Sequence, residues 1–387
     1  MSNKFIPLSV PNIKGNEIKY VTEALETEWV STGGAQIDEF EKNIAEYVKA
    51  GGAVACQSGT AGLHLALHYF NIGPGDVVIT PTLTFIAAVN PIKYEHAAPV
   101  FMDCDDSLCM DPVKLEKFLK EECTFDGEKV IMKSTNQQVK AIVVVHIFGN
   151  MADMEAIMEI AKAFKLPVIE DATEALGTYY TEGKYAGKYA GTIGDVGVFS
   201  FNGNKIITTG GGGMIVSNNL ELLDKLRYWS TQSKNDVVNF IHNEIGYNYR
   251  MTNVQAAIGV AQLERLEEFI EHKKNNYEYY KKEIQNIEGV SLLSFRNGIR
   301  PNYWFYSLVL EDETIDKQQM IDGFSKNKIQ TRPIWGLISE QIPYQNDFAY
   351  SAVCAKEYYK KIVNLPCSSN LELEDVERVL QVLKTLV

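Results

Sequence analysis

The sequence predicts a three-layer α/β protein with a mainly parallel sheet, followed by a smaller α/β unit. Two observations carry this prediction. Apolar runs rich in Val and Ile recur without polar alternation, as strands covered on both faces require. Helix-like segments separate them, the signature of strand-helix alternation.

The candidate strands, in order, are Ala53–Cys56, Val77–Thr80, Pro99–Met102, Ala141–Ile147, Pro167–Glu170, Val196–Ser200 and Met214–Ser217. The intervening helical patterns are Ala61–Tyr69, Asp153–Phe164 and Leu220–Trp229. The stretch Asp106–Lys140 is polar and weakly patterned, and it yields no assignment. Near residue 253 the pattern changes. Asn253 is placed to cap a long helix running to about residue 286. Ala256, Val260, Leu263, Leu266 and Ile270 form one stripe on it, the mark of a core-facing connector. An apolar run, Trp304–Leu310, and an amphipathic helix, Glu374–Leu386, complete the smaller unit. The expected division is residues 1–252 and 253–387, with the N-terminal segment packing on the small domain.

Net charge is −13, which argues against nucleic acid or an anionic membrane as partner. No cationic start precedes an apolar run, so no signal peptide is read, and no apolar stretch approaches the roughly 20 residues that span a bilayer. Cys56, Cys104, Cys109, Cys123, Cys354 and Cys367 form no CxxC pairs and have no His at metal-ligand spacing. Reduced thiols in a cytoplasmic protein without a metal site are the expectation.

Asp171 ends the strand Leu166–Asp171, and Lys205 follows the next strand in Phe199-Ser200-Phe201-Asn202-Gly203-Asn204-Lys205. Open α/β sheets bind ligands at the carboxyl ends of their strands. A Lys whose amine condenses with an aldehyde, and an Asp that keeps a pyridine nitrogen protonated, are the pair that pyridoxal 5'-phosphate (PLP) chemistry requires. Gly210–Gly213 carry no side chains, so backbone can approach a ligand there. Gln57-Ser58-Gly59-Thr60-Ala61-Gly62 opens a helix whose free N–H groups suit phosphate. Gly59 and Thr60 fit a plain turn and cap equally well. Ser200 is a further phosphate candidate, or simply a strand-end serine. Asn248 in Gly246-Tyr247-Asn248-Tyr249-Arg250 fits a loop turn, and Phe85 fits either a ring stack or the core. His146 reads as structural.

Together these motifs resemble the DegT/DnrJ/EryC1/StrS family of PLP-dependent nucleotide-sugar aminotransferases, of the aspartate aminotransferase fold (fold type I). The likeness runs nearly end to end. It includes Ile6-Pro7-Leu8-Ser9, Trp29-Val30-Ser31-Thr32-Gly33-Gly34, Pro81-Thr82-Leu83-Thr84-Phe85, Glu170-Asp171-Ala172-Thr173-Glu174-Ala175 and Asn364-Leu365-Pro366-Cys367. It implies a seven-stranded sheet and a homodimer with shared sites. Lys205 matches the PLP-holding lysine and Asp171 the pyridine partner. Gly59, Thr60 and Ser200 match the phosphate cradle, and Phe85 the ring cover. Asn248 matches a residue that enters the neighbouring subunit's site, while Thr32 and Gly33 match a segment near the sugar nucleotide. Glu174 stands where many members have Gln or His, and Gly211 where many have Glu. The Glu174 form resembles enzymes of 4-keto-6-deoxy sugars, and Ser-Phe-Asn-Gly-Asn-Lys resembles the legionaminic-acid (LegC-like) branch.

The implied reaction moves the amino group of L-glutamate to the C4 ketone of a nucleotide-linked 4-keto-6-deoxy sugar, with UDP-2-acetamido-4-keto-6-deoxyhexose preferred. Amination at C3 and a GDP-perosamine-type synthase are the alternatives within the class. Related sugar dehydratases carry His in place of Lys205. A non-catalytic PLP- or sugar-binding regulator is the rival of another class. A dinucleotide dehydrogenase lacks support, because no G-x-G-x-x-G follows the first strand.

Overall fold

The computed structural model describes residues 4–236 and 238–387. Its large sheet contains all seven expected strands: β1 (Gly52–Cys56), β2 (Asp76–Pro81), β3 (Ala98–Met102), β4 (Gln138–Val145), β5 (Val168–Asp171), β6 (Val196–Ser200) and β7 (Gly213–Ser217). Their order is β1-β7-β6-β5-β4-β2-β3. Among these seven, β7 alone runs against both neighbours, while β6, β5, β4, β2 and β3 are mutually parallel. Three short strands extend the sheet to ten: Phe348–Ala349 beyond β3, and the hairpin Cys123–Phe125 with Val130–Met132 beside β4. The parallel strands are apolar throughout because packing covers both faces; Val143, Val144 and Ile169 are buried.

The unassigned stretch 106–140 holds that hairpin and a helix, Pro112–Glu121, whose N-cap Asp111 accepts from the Val113 and Lys114 amides. The long helix expected from Asn253 is two helices, α2 (Asn253–Leu263) and α3 (Leu266–Ile284). A continuous apolar stripe does not report a break at two polar residues between its members. The cap is Thr252, not Asn253: Thr252 and Gln255 form a capping box, satisfying donors that the first turn leaves free. The Asn253 side chain instead accepts from the Gln36 amide (3.0 Å) and donates to the Trp29 carbonyl (2.7 Å), so it holds the 29–36 loop.

A second, antiparallel sheet follows, ordered Val290–Leu292, Tyr306–Leu310, Ile362–Leu365 and Arg332–Pro333, with the helix Leu373–Leu386 after it. The apolar run expected from Trp304 becomes a strand only at Tyr306. The N-terminal segment lies against this sheet region: the Ile6 amide donates to the Lys328 carbonyl (2.9 Å), and the Cys367 amide to the Leu8 carbonyl (2.8 Å). Among the described residues no helix is long and apolar enough to cross a membrane, and none group as a metal site.

Candidate active site

The carboxyl ends of β5 and β6 meet the loop after β2 and the start of helix α1 (Gly59–Tyr69) around a cavity of about 260 Å³. Gly59, Thr60, Phe85, Asp171, Glu174, Ser200 and Lys205 all line it. Two residues that the sequence does not single out, Trp304 and Trp335, also line it. Trp304 lies inside the apolar run and Trp335 in a loop, so no local pattern marks either.

The floor of the cavity is a helix N-terminus. Ser58 caps α1, its hydroxyl accepting from the Ala61 amide at 3.1 Å. The N–H groups of the first turn have no acceptor within the helix. Close approach of this turn to β6 depends on glycine: a Cβ on Gly59 would lie 2.8 Å from Thr173 Cγ2 and 3.1 Å from Ser200 Cβ. On β7, a Cβ at Gly213 would lie 2.6 Å from the Ser58 carbonyl carbon. Donors and missing side chains together leave a concave, anion-favouring floor, which fits a phosphate group.

Asp171 sits opposite Val145 of β4 and Val198 of β6, at 3% exposure. Burial pushes its pKa up, opposed by the Thr173 hydroxyl and by the Thr173 amide, which donates to Oδ1 at 3.0 Å. A carboxylate with that deficit, facing the cavity, fits a protonated ring nitrogen. Burial likewise pushes Glu174 up, to about 7; Lys205 and the Phe148 amide, which donates to Oε2 at 2.7 Å, oppose it.

Lys205 closes the arrangement. Its amide donates to the Asn202 carbonyl (3.0 Å), completing the turn that aims the side chain inward. Nζ lies 3.9 Å from Glu174 Oε1 and 4.2 Å from the Trp304 ring centroid. The Trp304 Nε1–H donates to the Asn204 carbonyl (2.8 Å), fixing the indole against the lysine-bearing turn. Burial lowers the Lys205 pKa against the pull of Glu174 and Asp171, which favours the neutral, nucleophilic amine. Phe85, half exposed, stands at the mouth with its ring 5.7 Å from that of Trp335.

Three expected residues are not brought to this cavity within one chain. Asn248 is exposed, and its Oδ1 accepts from Gln232 Nε2 (3.0 Å). Thr32 and Gly33 are exposed in the loop beside Trp29. His146 is structural, as expected: it is fully buried, accepts from the Ala152 amide at Nδ1 (3.2 Å), and therefore presents Nε2–H to Glu170 (2.8 Å). Gly211 also lines the cavity, and its carbonyl accepts from Gln255 and Thr209.

A buried lysine, a strand-end carboxylate and a helix N-terminus at the carboxyl edge of this sheet define a type I PLP-dependent aminotransferase fold. The family model described as the DegT/DnrJ/EryC1/StrS aminotransferase family matches residues 11–384, and the chain belongs to that family of nucleotide-sugar aminotransferases. It is 38% identical to the GDP-perosamine synthase of Escherichia coli O157:H7, with 96% of each chain covered. It is 30% identical to the UDP-4-amino-4,6-dideoxy-N-acetyl-beta-L-altrosamine transaminase of Campylobacter jejuni subsp. jejuni serotype O:23/36 (strain 81-176), over 97% of this chain and 95% of that one. Among solved structures, the aminotransferase TlmJ from Streptoalloteichus hindustanus superposes with a TM-score of 0.88 at 26% identity, covering 98% of both chains.

Proposed function

We propose that this enzyme uses PLP to transfer the amino group of L-glutamate to the C4 ketone of a nucleotide-linked 4-keto-6-deoxy sugar. The preferred substrate is UDP-2-acetamido-4-keto-6-deoxyhexose, and the setting is cytoplasmic synthesis of surface-glycan sugars. The observation that carries the reading is the placement of Lys205 Nζ beside Glu174 and over the Trp304 face, across the cavity shared with Asp171.

Bound PLP supplies an electron sink through which an amino group passes from donor to acceptor. The chain's residues do the rest. The start of α1, with Gly59, Thr60 and Ser200, would hold the phosphate. Asp171 would hold the ring nitrogen and favour its protonated form. Phe85, at the mouth, would cover the ring. Lys205 Nζ, its pKa lowered by burial, carries the proton to and from the substrate carbon. Glu174 lies close enough to set that amine's protonation.

The same reading includes a homodimer. Exposed Asn248 reaches the partner's cofactor cavity in this reading, and exposed Thr32 and Gly33 lie near the sugar nucleotide. The apolar surface around the 29–33 loop supports it, since Ile18, Leu25 and Trp29 are all more than half exposed. The domain boundary is proposed at 252/253, where Thr252 caps α2.

A second reading, amination of a GDP-linked 4-keto-6-deoxy sugar, is favoured by the 38% identity to a GDP-perosamine synthase. Incubation with L-glutamate and a panel of UDP-, dTDP- and GDP-4-keto sugars, read by mass spectrometry, separates the two. Amination of the UDP-acetamido sugar alone is the expected result. Amination of the GDP sugar alone replaces the preferred reading with the second, and no amination of any member removes both.

A further inference from the structure

Away from the cavity, two cysteines that are distant in sequence meet at one buried carboxylate. Asp103 follows β3 and is fully buried. Its Oδ1 accepts from the amides of Cys104 (3.0 Å) and Ala355 (2.8 Å), and its Oδ2 from the Cys354 amide (3.1 Å), Ser351 Oγ (3.1 Å) and Lys114 Nζ (2.7 Å). Two amides on one carboxylate lie within about 8 Å of each other, so the two cysteine backbones are neighbours across Asp103. The two thiols are near enough to shift each other's titration, Cys104 upward and Cys354 downward.

The two cysteines are unlike in access. Cys104 is buried; Cys354 is partly exposed and lines an open cleft of about 1160 Å³. Cys354 also sits in the first turn of helix α4 (Val353–Lys361), whose Cys354 and Ala355 amides are taken by Asp103. The neighbouring Cys104 thiol and the charge of Lys114 lower its pKa, against burial and the charges of Asp103 and Asp106. The other four cysteines are all buried, and burial pushes their thiols up, Cys56 and Cys109 to about 12 and Cys123 to about 11.

We propose that Cys104 and Cys354 form a reversible intrachain disulfide in response to low-molecular-weight disulfides. The Cys354 thiolate attacks one sulfur of the oxidant, forming a mixed disulfide and releasing one thiolate. Cys104 then gives up its proton, attacks the Cys354 sulfur, and expels the second thiolate. Both protein thiols are oxidised, and the small disulfide is reduced to two thiols. The bond closes the far end of the segment that starts at Trp335 in the cavity wall, docks its Ile338 amide on the Thr82 carbonyl (2.9 Å), and pairs Phe348–Ala349 with β3. A reducing compartment makes such a bond transient rather than structural.

The test treats the full-length native protein with glutathione disulfide, blocks free thiols, and maps peptides by mass spectrometry. The expected result is loss of two thiols per chain in one cross-linked peptide pair, Cys104 with Cys354, restored by dithiothreitol. Cys104→Ser is expected to stall with glutathione on Cys354, and Cys354→Ser to leave every cysteine unmodified. Glutathione persisting on Cys354 of the wild type beside a free Cys104 overturns the proposal. So does modification elsewhere, or no modification. Should Cys104→Ser fail to fold, wild type against Cys354→Ser decides alone: equal thiol loss in the two refutes it.

Discussion

Two consecutive carboxylates on β5, Glu170 and Asp171, point to opposite faces of the sheet and have opposite surroundings. Glu170 is fully buried and saturated: it accepts from His146 Nε2 (2.8 Å) and from the amides of Gly191 (2.8 Å), Ile193 (2.7 Å) and Gly194 (2.5 Å). Asp171 is nearly as buried, but among the described residues its side chain is hydrogen-bonded only by Thr173, with the charges of Lys205 and His146 nearby, and burial leaves its pKa raised. Glu174 and Lys205 share that deficit on the cavity side. A buried charge completed by its own chain is architecture. One left incomplete beside a cavity waits for a ligand, and the fold carries its cost in the meantime.

The largest effect that sharpens this contrast is on the incomplete side. Lys205→Ala should lower glutamate-dependent amination by roughly 1000-fold or more, because it removes the proton carrier. The melting temperature of the cofactor-free variant should not fall, since no saturated network is broken. A Lys205→Ala protein that retains turnover breaks the assignment.

Next come the two neighbours, with opposite outcomes. Asp171→Asn should fold normally yet lose activity by on the order of 100-fold, as charge aimed at the ring nitrogen is lost. Glu170→Gln should cost about 3 kcal/mol in urea denaturation, since an amide cannot accept from His146 and three backbone donors with both atoms. Similar stability losses in the two variants would dissolve the distinction.

The saturated and the incomplete regions are not equally legible in sequence. All seven main strands are, because a buried parallel strand needs an unbroken apolar run, and Val143-Val144-Val145 admits few other readings. Lys205 and Asp171 are legible because both sit at strand ends in small, polar surroundings. The edge hairpin Cys123–Phe125 with Val130–Met132 is not: an edge strand with one solvated face carries no such run. The Thr252–Gln255 capping box is visible as T-x-x-Q, but Asn253 beside it is an equally good capping residue type and masks it. The roles of Trp304 and Trp335 depend on the small unit folding back onto the sheet, which is tertiary information. The saturation of Glu170 lies equally out of reach, since its amide donors become neighbours only when the loop around Gly191–Gly194 wraps β5.

Glu174 sharpens the comparison through pH. Its folded pKa, about 7, lies above the ordinary glutamate value of 4.5, so the folded state holds an extra proton between those values. Stability from this group is therefore full below about pH 4.5 and lost as pH rises through about 7. In the cofactor-free protein the loss across that interval should approach about 3 kcal/mol, since displacing one proton equilibrium tenfold costs about 1.4 kcal/mol. Glu174→Gln should flatten that part of the stability profile, measured by urea denaturation across the range. An unchanged slope would mean that Glu174 is as well satisfied as Glu170.

The smallest effect tests whether the incomplete region is completed from outside the chain. Asn248 lies on the segment 246–250, which Arg250 anchors by an ion pair to buried Glu41, while the Tyr249 carbonyl accepts from the Gln57 amide (2.8 Å) just ahead of α1. The segment is thus rigidly held, yet it presents Asn248 to solvent rather than to its own cavity. Asn248→Asp leaves that anchoring untouched and adds one negative charge where the proposed dimer places the partner's bound phosphate. Cofactor affinity should fall about tenfold, equivalent to about 1.4 kcal/mol, with the fold of the single chain unchanged. Because the repulsion would act between subunits, it should vanish on dilution to monomers. Equal cofactor affinity in Asn248→Asp and wild type at dimer concentrations would leave Asp171 and Glu174 to be completed by ligand alone.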